Sequence, residues 1–306
     1  MEINEVNGIY FKILENHKIK IKILPDYGGK IISIINKENN NEILFQNLKK
    51  LKIPTYGSIF SEYDSSGFDE CFPSIDECIY PEGNRKGLKI PDHGEVWAMP
   101  WKVEVKENKA YLEVTSEKFQ YTLKKTVNLV DNKIKIDYEV INLGSDDLAY
   151  IWTSHMLLNC DENTKIVVPN HLDKVISLES SSTHLEHMKE YSYPYTIDKN
   201  NEIFDLSMVE KLDENNCEKF YFLEQTSWSK IINLKTNESL TVRVPNDKVP
   251  YLGVWRTQGG YRGDYNIALE PCTGIYDSVE DGIKRNKIQR VEKNTSNTWW
   301  LELEIN

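Results

Sequence analysis

Long apolar runs are missing from this sequence, and so is any excess of basic charge. No segment approaches the roughly 20 apolar residues that a membrane-crossing helix needs. The first residues, Met1-Glu-Ile-Asn-Glu-Val-Asn-Gly8, carry neither the basic start nor the apolar stretch of a secretory signal. A cytoplasmic location is the expectation that follows. Lysine and arginine total 37 against 48 acidic residues, a formal net charge of -11 over 306 residues. Nucleic acid and other polyanions are therefore poor partners for such a surface. Cysteine is sparse as well: Cys71, Cys78, Cys160, Cys217 and Cys272 are odd in number and widely scattered. A chain long enough to bury a sizeable core needs no stapling, so they are expected as reduced thiols. No proline- or glycine-rich linker, low-complexity segment or visible repeat divides the chain, and one continuous domain over residues 1–306 is expected.

Familiar chemical signatures are lacking too. There is no phosphate-cradling glycine loop ahead of a helix, no Gly-x-Ser-x-Gly elbow and no dinucleotide fingerprint. Residues 61 to 82 are the most acidic stretch, and Glu62-Tyr-Asp64-Ser-Ser66-Gly67 superficially imitates a calcium loop. Its twelfth position, which must supply a bidentate glutamate, is Pro73. Zinc fares no better, because Cys71 and Cys78 are badly spaced and His184-Leu-Glu-His187 lacks a nearby third ligand. No metal and no organic cofactor are expected.

What the chain has in quantity is period-two alternation. His17-Lys-Ile-Lys-Ile-Lys-Ile23 puts Lys18, Lys20 and Lys22 on one face and Ile19, Ile21 and Ile23 on the other, the pattern of a half-buried antiparallel strand. Pro25-Asp-Tyr-Gly28-Gly29 turns the chain, and Lys30 to Ile35 returns. The signal recurs over Tyr111–Thr115, Phe119–Val130, Lys133–Asn142, Thr226–Leu234, Ser239–Val244 and Trp299–Ile305. Helix signals are few: a short one opening at the capping sequence Ser278-Val-Glu-Asp281, cut by Gly282, and another over Ser181–Tyr191. Closely spaced strands without helical crossovers predict an all-β protein, a large antiparallel β-sandwich.

Three stretches carry candidate chemistry. In Tyr251-Leu-Gly-Val-Trp255 … Tyr265-Asn-Ile-Ala-Leu-Glu270-Pro271, two strands flank a turn holding Gly259, Gly260 and Gly263. Proline has no N–H and biases the preceding residue towards extended backbone, so Glu270 is expected where the second strand leaves its sheet. Trp255, Tyr261 and Tyr265 nearby offer flat rings for the apolar face of a sugar, and the carboxylate an acceptor for a hydroxyl proton. The second stretch is Pro91-Asp92-His93-Gly94-Glu-Val-Trp97-Ala-Met-Pro100-Trp101, a backbone-restrained loop with two tryptophans. The third, Tyr150-Ile-Trp152-Thr-Ser-His155-Met, sets a histidine in an interior strand. Taken singly, a strand-ending glutamate and a core histidine are ordinary structural residues.

Together, His93-Gly94 followed by tryptophan, then Trp152-Thr-Ser-His155, then Leu269-Glu270-Pro271 occur in the order seen in the aldose 1-epimerase, or galactose mutarotase-like, family, and the chain resembles that family from Gly28-Gly29 to the closing Trp-Trp-Leu-Glu-Leu strand. The resemblance implies a galactose mutarotase-like supersandwich that interconverts sugar anomers, with Glu270 as general base, His155 as general acid and His93 holding the sugar near its ring oxygen. It implies a monosaccharide or derivative as ligand, no membrane, and a monomer or homodimer. Trp97 and Trp255 are expected against the sugar. Where the family carries an Asn-Arg pair, this chain has Asp69-Glu70, expected to alter which hydroxyls are recognised and to repel a sugar phosphate; the plain structural alternative is that Asp69 caps a turn. Basic residues that could still meet a phosphate are Arg85, Lys86, Lys89, Arg256 and Arg262. The family's substrate-binding aspartate has only Asp205 and Glu218 as candidate counterparts. A binding protein without turnover, a sugar-phosphate mutarotase and a glycosidase using Asp264 with Glu270 remain the alternatives.

Overall fold

The computed structural model describes residues 5–6, 8–47, 51–63 and 65–306. Asp64 of the acidic stretch and most of the opening segment lie outside the described residues. Among those described, no helix is long and apolar enough to cross a membrane. Two large antiparallel sheets face one another, one of eight strands and one of eleven. The alternation explains why they stack. Along Lys133–Asn142, the side chains of Ile134, Ile136, Tyr138 and Val140 are buried while Lys135, Asp137 and Glu139 between them are not. Along Ile19–Leu24, Ile19, Ile21 and Ile23 are buried between half-exposed Lys20 and Lys22. Each such isoleucine removed from water stabilises the fold by about 1.5–3 kcal/mol. These inward residues, with Trp152, Leu269, Leu301 and many others from both sheets, merge in a common core.

Several elements depart from what local pattern suggests. Asn216–Phe222 is a strand buried on both faces, so it shows no clean alternation to read. Phe68–Cys71 is a strand as well, not a turn. Ser181–Tyr191 is not a helix but a series of bends running into the strand Glu190–Ser192. There His184 is clamped between Asp198 at 2.8 Å and Glu210 at 3.0 Å and stacks on Phe204 at 3.9 Å. Those tertiary partners outweigh a weak helical tendency. The other helix is present over Val279–Lys284, with the Ser278 hydroxyl accepting the Asp281 N–H at 3.2 Å. Finally, the strand Tyr265–Cys272 continues through Pro271, so Glu270 lies within the sheet rather than at its exit. Its pairing with Thr153–Asn159 is recorded at Thr153↔Cys272 and resumes at Leu157↔Ala268. A residue without an N–H is tolerated inside that gap.

Candidate active site

One transverse line of side chains on the eleven-stranded sheet organises the site. His155 pairs with Asp69, Gly253 with Glu270, and Tyr221 with Gly253. The register that joins Thr153 to Cys272 and Leu157 to Ala268 sets Glu270 opposite His155. Directly opposed residues on neighbouring strands point to the same face. A carboxylate and an imidazole remote in sequence are thereby made neighbours by strand order alone. Lys30 closes the line at one end, its ammonium 3.0 Å from the Asp69 carboxylate.

Loops bring the remaining groups. His93 has φ 59° and Gly94 φ 74°, consecutive left-handed residues that aim the imidazole back over the sheet. The His93 N–H donates to the Ile75 carbonyl at 2.6 Å, and its Nδ1 lies 2.8 Å from Asp92 Oδ1. The second oxygen of Asp92 accepts the Phe60 N–H at 3.0 Å. Phe60 stacks on His93 at 4.0 Å and meets His155 edge-on at 5.2 Å, and the two imidazoles are themselves 5.2 Å apart. Trp255 and Tyr261, edge to face at 5.6 Å, form the aromatic side. Phe60, the two histidines, Trp255 and Tyr261, with Asp76, Glu179, Lys219, Glu270 and Asp277, line a cavity of about 270 Å³. That is near the lower limit of roughly 300 Å³ for small-molecule sites, a size for one small ring rather than a chain of them.

Of the expected site residues, His93, His155, Trp255 and Glu270 meet at this cavity. Three others do not line it. Trp97 is a layer behind, 5.0 Å from Phe60, its indole N–H given to the Asp92 carbonyl at 2.9 Å. Asp69 is buried beside His155 on the neighbouring strand and paired with Lys30. Glu70 is on the opposite face of its strand, sealed between the sheets, where it binds Lys125 at 3.1 Å, Tyr138 at 3.0 Å and the Trp152 indole at 2.6 Å. One residue along a strand reverses the face, so two adjacent carboxylates could not both open into one cleft. Glu218 is likewise sealed inside, paired with Arg256 at 2.5 Å, and Asp205 is used by Ser207. Arg85 is buried against Asp146, and Lys89 pairs with Glu77 at the surface. Asp264 precedes its strand and accepts the Ser65 hydroxyl at 3.2 Å.

Sequence reasoning missed Lys219, Asp277, Asp76 and Phe60. Lys219 bridges Glu270 at 3.3 Å and Asp277 at 2.9 Å, and Tyr221 donates to Asp277 at 2.7 Å. Alternation in Glu218-Lys-Phe-Tyr221 would have put Lys219 and Tyr221 on one face, but nothing local says which face is functional. Burial pushes the Glu270 carboxyl above the ordinary glutamate range; Lys219 opposes that and Asp277 reinforces it. Burial also raises Asp76, with Asp277 adding to it. Burial drives His155 well below the ordinary histidine value, and His93, Lys219 and Lys30 push the same way. Burial opposes the charge on Lys219, yet Asp277 and Glu270 more than offset it, and its pKa is raised.

The fold and the cavity define a class: an antiparallel β-sandwich with a small cavity lined by histidine and carboxylate side chains on one sheet. The sequence pattern of the aldose 1-epimerase family matches residues 12–272, and the chain belongs to that family. No curated protein sequence matches it significantly. Among solved structures it is similar to a galactose mutarotase related enzyme of Lactobacillus acidophilus, with TM-score 0.70 and 16% identity over 97% of both chains. A galactose mutarotase-like protein of Clostridium acetobutylicum gives TM-score 0.65 and 16% identity, covering 99% of this chain and 97% of that one. A galactose mutarotase-like protein of Lactobacillus casei gives 0.65 and 16%, with 97% and 100% covered. At these identities the likeness establishes the fold.

Proposed function

We propose that this cavity binds one uncharged monosaccharide and interconverts its anomers, the chain acting as a single catalytic unit. The observation that carries the reading is that the register sets Glu270 opposite His155 on adjacent strands beside a lined cavity, with His93 next to them. Glu270 takes the proton from the hydroxyl on C1, the bond from C1 to the ring oxygen breaks, and that oxygen receives a proton from the histidine side. Rotation about C1–C2 lets the open chain close on the other face, and reverse proton transfers restore both groups. A buried, neutral His155 serves best as a hydrogen-bond partner at the ring oxygen. The Asp92 carboxylate, 2.8 Å from His93 Nδ1, fixes the orientation of that ring. With the two rings 5.2 Å apart, the delivered proton is assigned to the histidines as a pair.

Lining charge favours an uncharged ligand over a sugar phosphate. Among the described residues, Asp76, Glu179, Glu270 and Asp277 face the cavity against one ammonium, that of Lys219, while Arg85, Lys86, Lys89, Arg256 and Arg262 do not line it. A sugar-binding protein without turnover is the second reading, favoured by the neutral state of His155. Polarimetry of freshly dissolved α-anomers separates the two. Wild-type protein is expected to accelerate the relaxation of optical rotation. Glu270→Gln should lose about 10²- to 10⁴-fold of that acceleration while still binding sugar. Full activity in that variant would remove the carboxylate from the reaction, and no acceleration by the wild type would leave the binding protein.

A further inference from the structure

Glu270 is separated from the strand Asn216–Phe222 by the strand Tyr251–Gln258, and the residue between it and Tyr221 is Gly253. A β-carbon there would stand 3.1 Å from the Tyr221 ring and 3.4 Å from Glu270 Oε2. The missing side chain leaves a window through which groups on Asn216–Phe222 reach the carboxylate two strands away. Lys219 uses it: its ammonium is 3.3 Å from Glu270 Oε2 and 2.9 Å from Asp277 Oδ1, and its side chain is 13% exposed. Asp277 is anchored independently. Its carboxylate accepts the Tyr221 hydroxyl, and its carbonyl accepts the N–H groups of Ile75 and Asp76 at 3.0 and 2.6 Å.

We propose that Lys219 is a positioning residue that holds the Glu270 carboxylate charged and aimed into the cavity, with Asp277 as the counterweight that keeps the ammonium from binding it too tightly. This rests on Glu270 being the base. Without Lys219, burial beside Asp277 favours the protonated acid, which cannot accept a proton. With Lys219 given wholly to Glu270, the carboxylate becomes a weaker base than the reaction needs. Sharing one ammonium between two carboxylates sets the balance. Among the described residues, the other ionisable groups facing Glu270 are His155 and Cys71 from the strands on one side, Tyr221 across Gly253 on the other, His93 and Asp76 from the loops, and Cys272 on its own strand. Of these, burial keeps both thiols and His155 uncharged near neutral pH.

The test is the acid limb of the pH profile for kcat/KM in mutarotation, read beside the ¹³C carboxyl titration of Glu270 in the sugar-free protein. The Glu270 resonance is assigned by its loss in Glu270→Gln. Removing an opposite charge at this distance moves a carboxylate by about 1 to 3 pH units. Lys219→Met should move both the limb and the resonance up by that order, Asp277→Asn should move both down, and Lys219→Arg should restore most of the wild-type profile. Opposite signs from two neighbouring substitutions are what a merely structural role would not produce. Asp277→Asn relieves Glu270 directly as well as through Lys219, so if Lys219→Met does not fold, Lys219→Gln takes its place and should move both readouts up. An unmoved limb, or a shift in the same direction in both variants, overturns the proposal. An active Glu270→Gln instead overturns the base assignment, and the resonance shifts then judge Lys219 separately.

Discussion

His93 shows what a single backbone angle contributes. A left-handed conformation costs a non-glycine residue about 1–2 kcal/mol, and such strain persists where surrounding structure over-determines it. Here the His93 and Gly94 N–H groups are taken by the Ile75 and Pro91 carbonyls, at 2.6 and 2.9 Å. Gly94 then packs so closely that a β-carbon would lie 2.2 Å from the Phe72 carbonyl oxygen. Gly94→Ala must therefore move main chain. It is expected to cost about 1–3 kcal/mol in urea unfolding. Mutarotation should fall about 100-fold as His93 is displaced from His155. Wild-type rate in that variant would detach the loop geometry from the chemistry. The pair His93-Gly94 was legible in the sequence as a motif. The place of Trp97 behind Phe60 was not, because Phe60 arrives from a separate loop that no local pattern ties to it.

The strand Phe68–Cys71 makes the corresponding point about elements. Its two acidic residues look equivalent in sequence, yet pleating sends Asp69 to the cavity side and Glu70 into the core. Glu70 satisfies Lys125, a lysine wholly buried between the sheets. Glu70→Ala would strand that ammonium, and breaking a buried pair in this way costs about 3–5 kcal/mol. The loss should appear in the urea midpoint, with sugar affinity of the folded fraction unchanged. Retained stability with lost affinity would return Glu70 to the ligand. The strand itself was hard to read, since all four of its residues are buried and alternation needs a solvent face. Pro271 misled in the other direction. Proline normally ends a strand, but here its missing N–H falls where the sheet pairing is interrupted, and the strand passes through.

Across the whole molecule, charge and strand order act together. The chain carries a formal net charge of -11, and the cavity repeats that sign locally. Neutral aldoses should raise the melting temperature and relax faster in the presence of the protein, while their phosphates should do neither at low salt. Part of that discrimination should fade as salt is raised, because exposed charges are screened beyond about 8 Å at physiological ionic strength. A phosphate ester that stabilises the fold better than its free sugar would overturn the charge argument. The sandwich and the sign of the net charge could be read from the chain directly, and His93, His155 and Glu270, which meet at the cavity, from short motifs joined by a family resemblance, because alternation, turn residues and motifs are properties of neighbours in sequence. Lys219 beside Glu270, Asp277 beside Lys219, and the parting of Asp69 from Glu70 could not. Those contacts depend on which strands lie side by side and which face each turns inward, and that is decided by how the two sheets bury their common core.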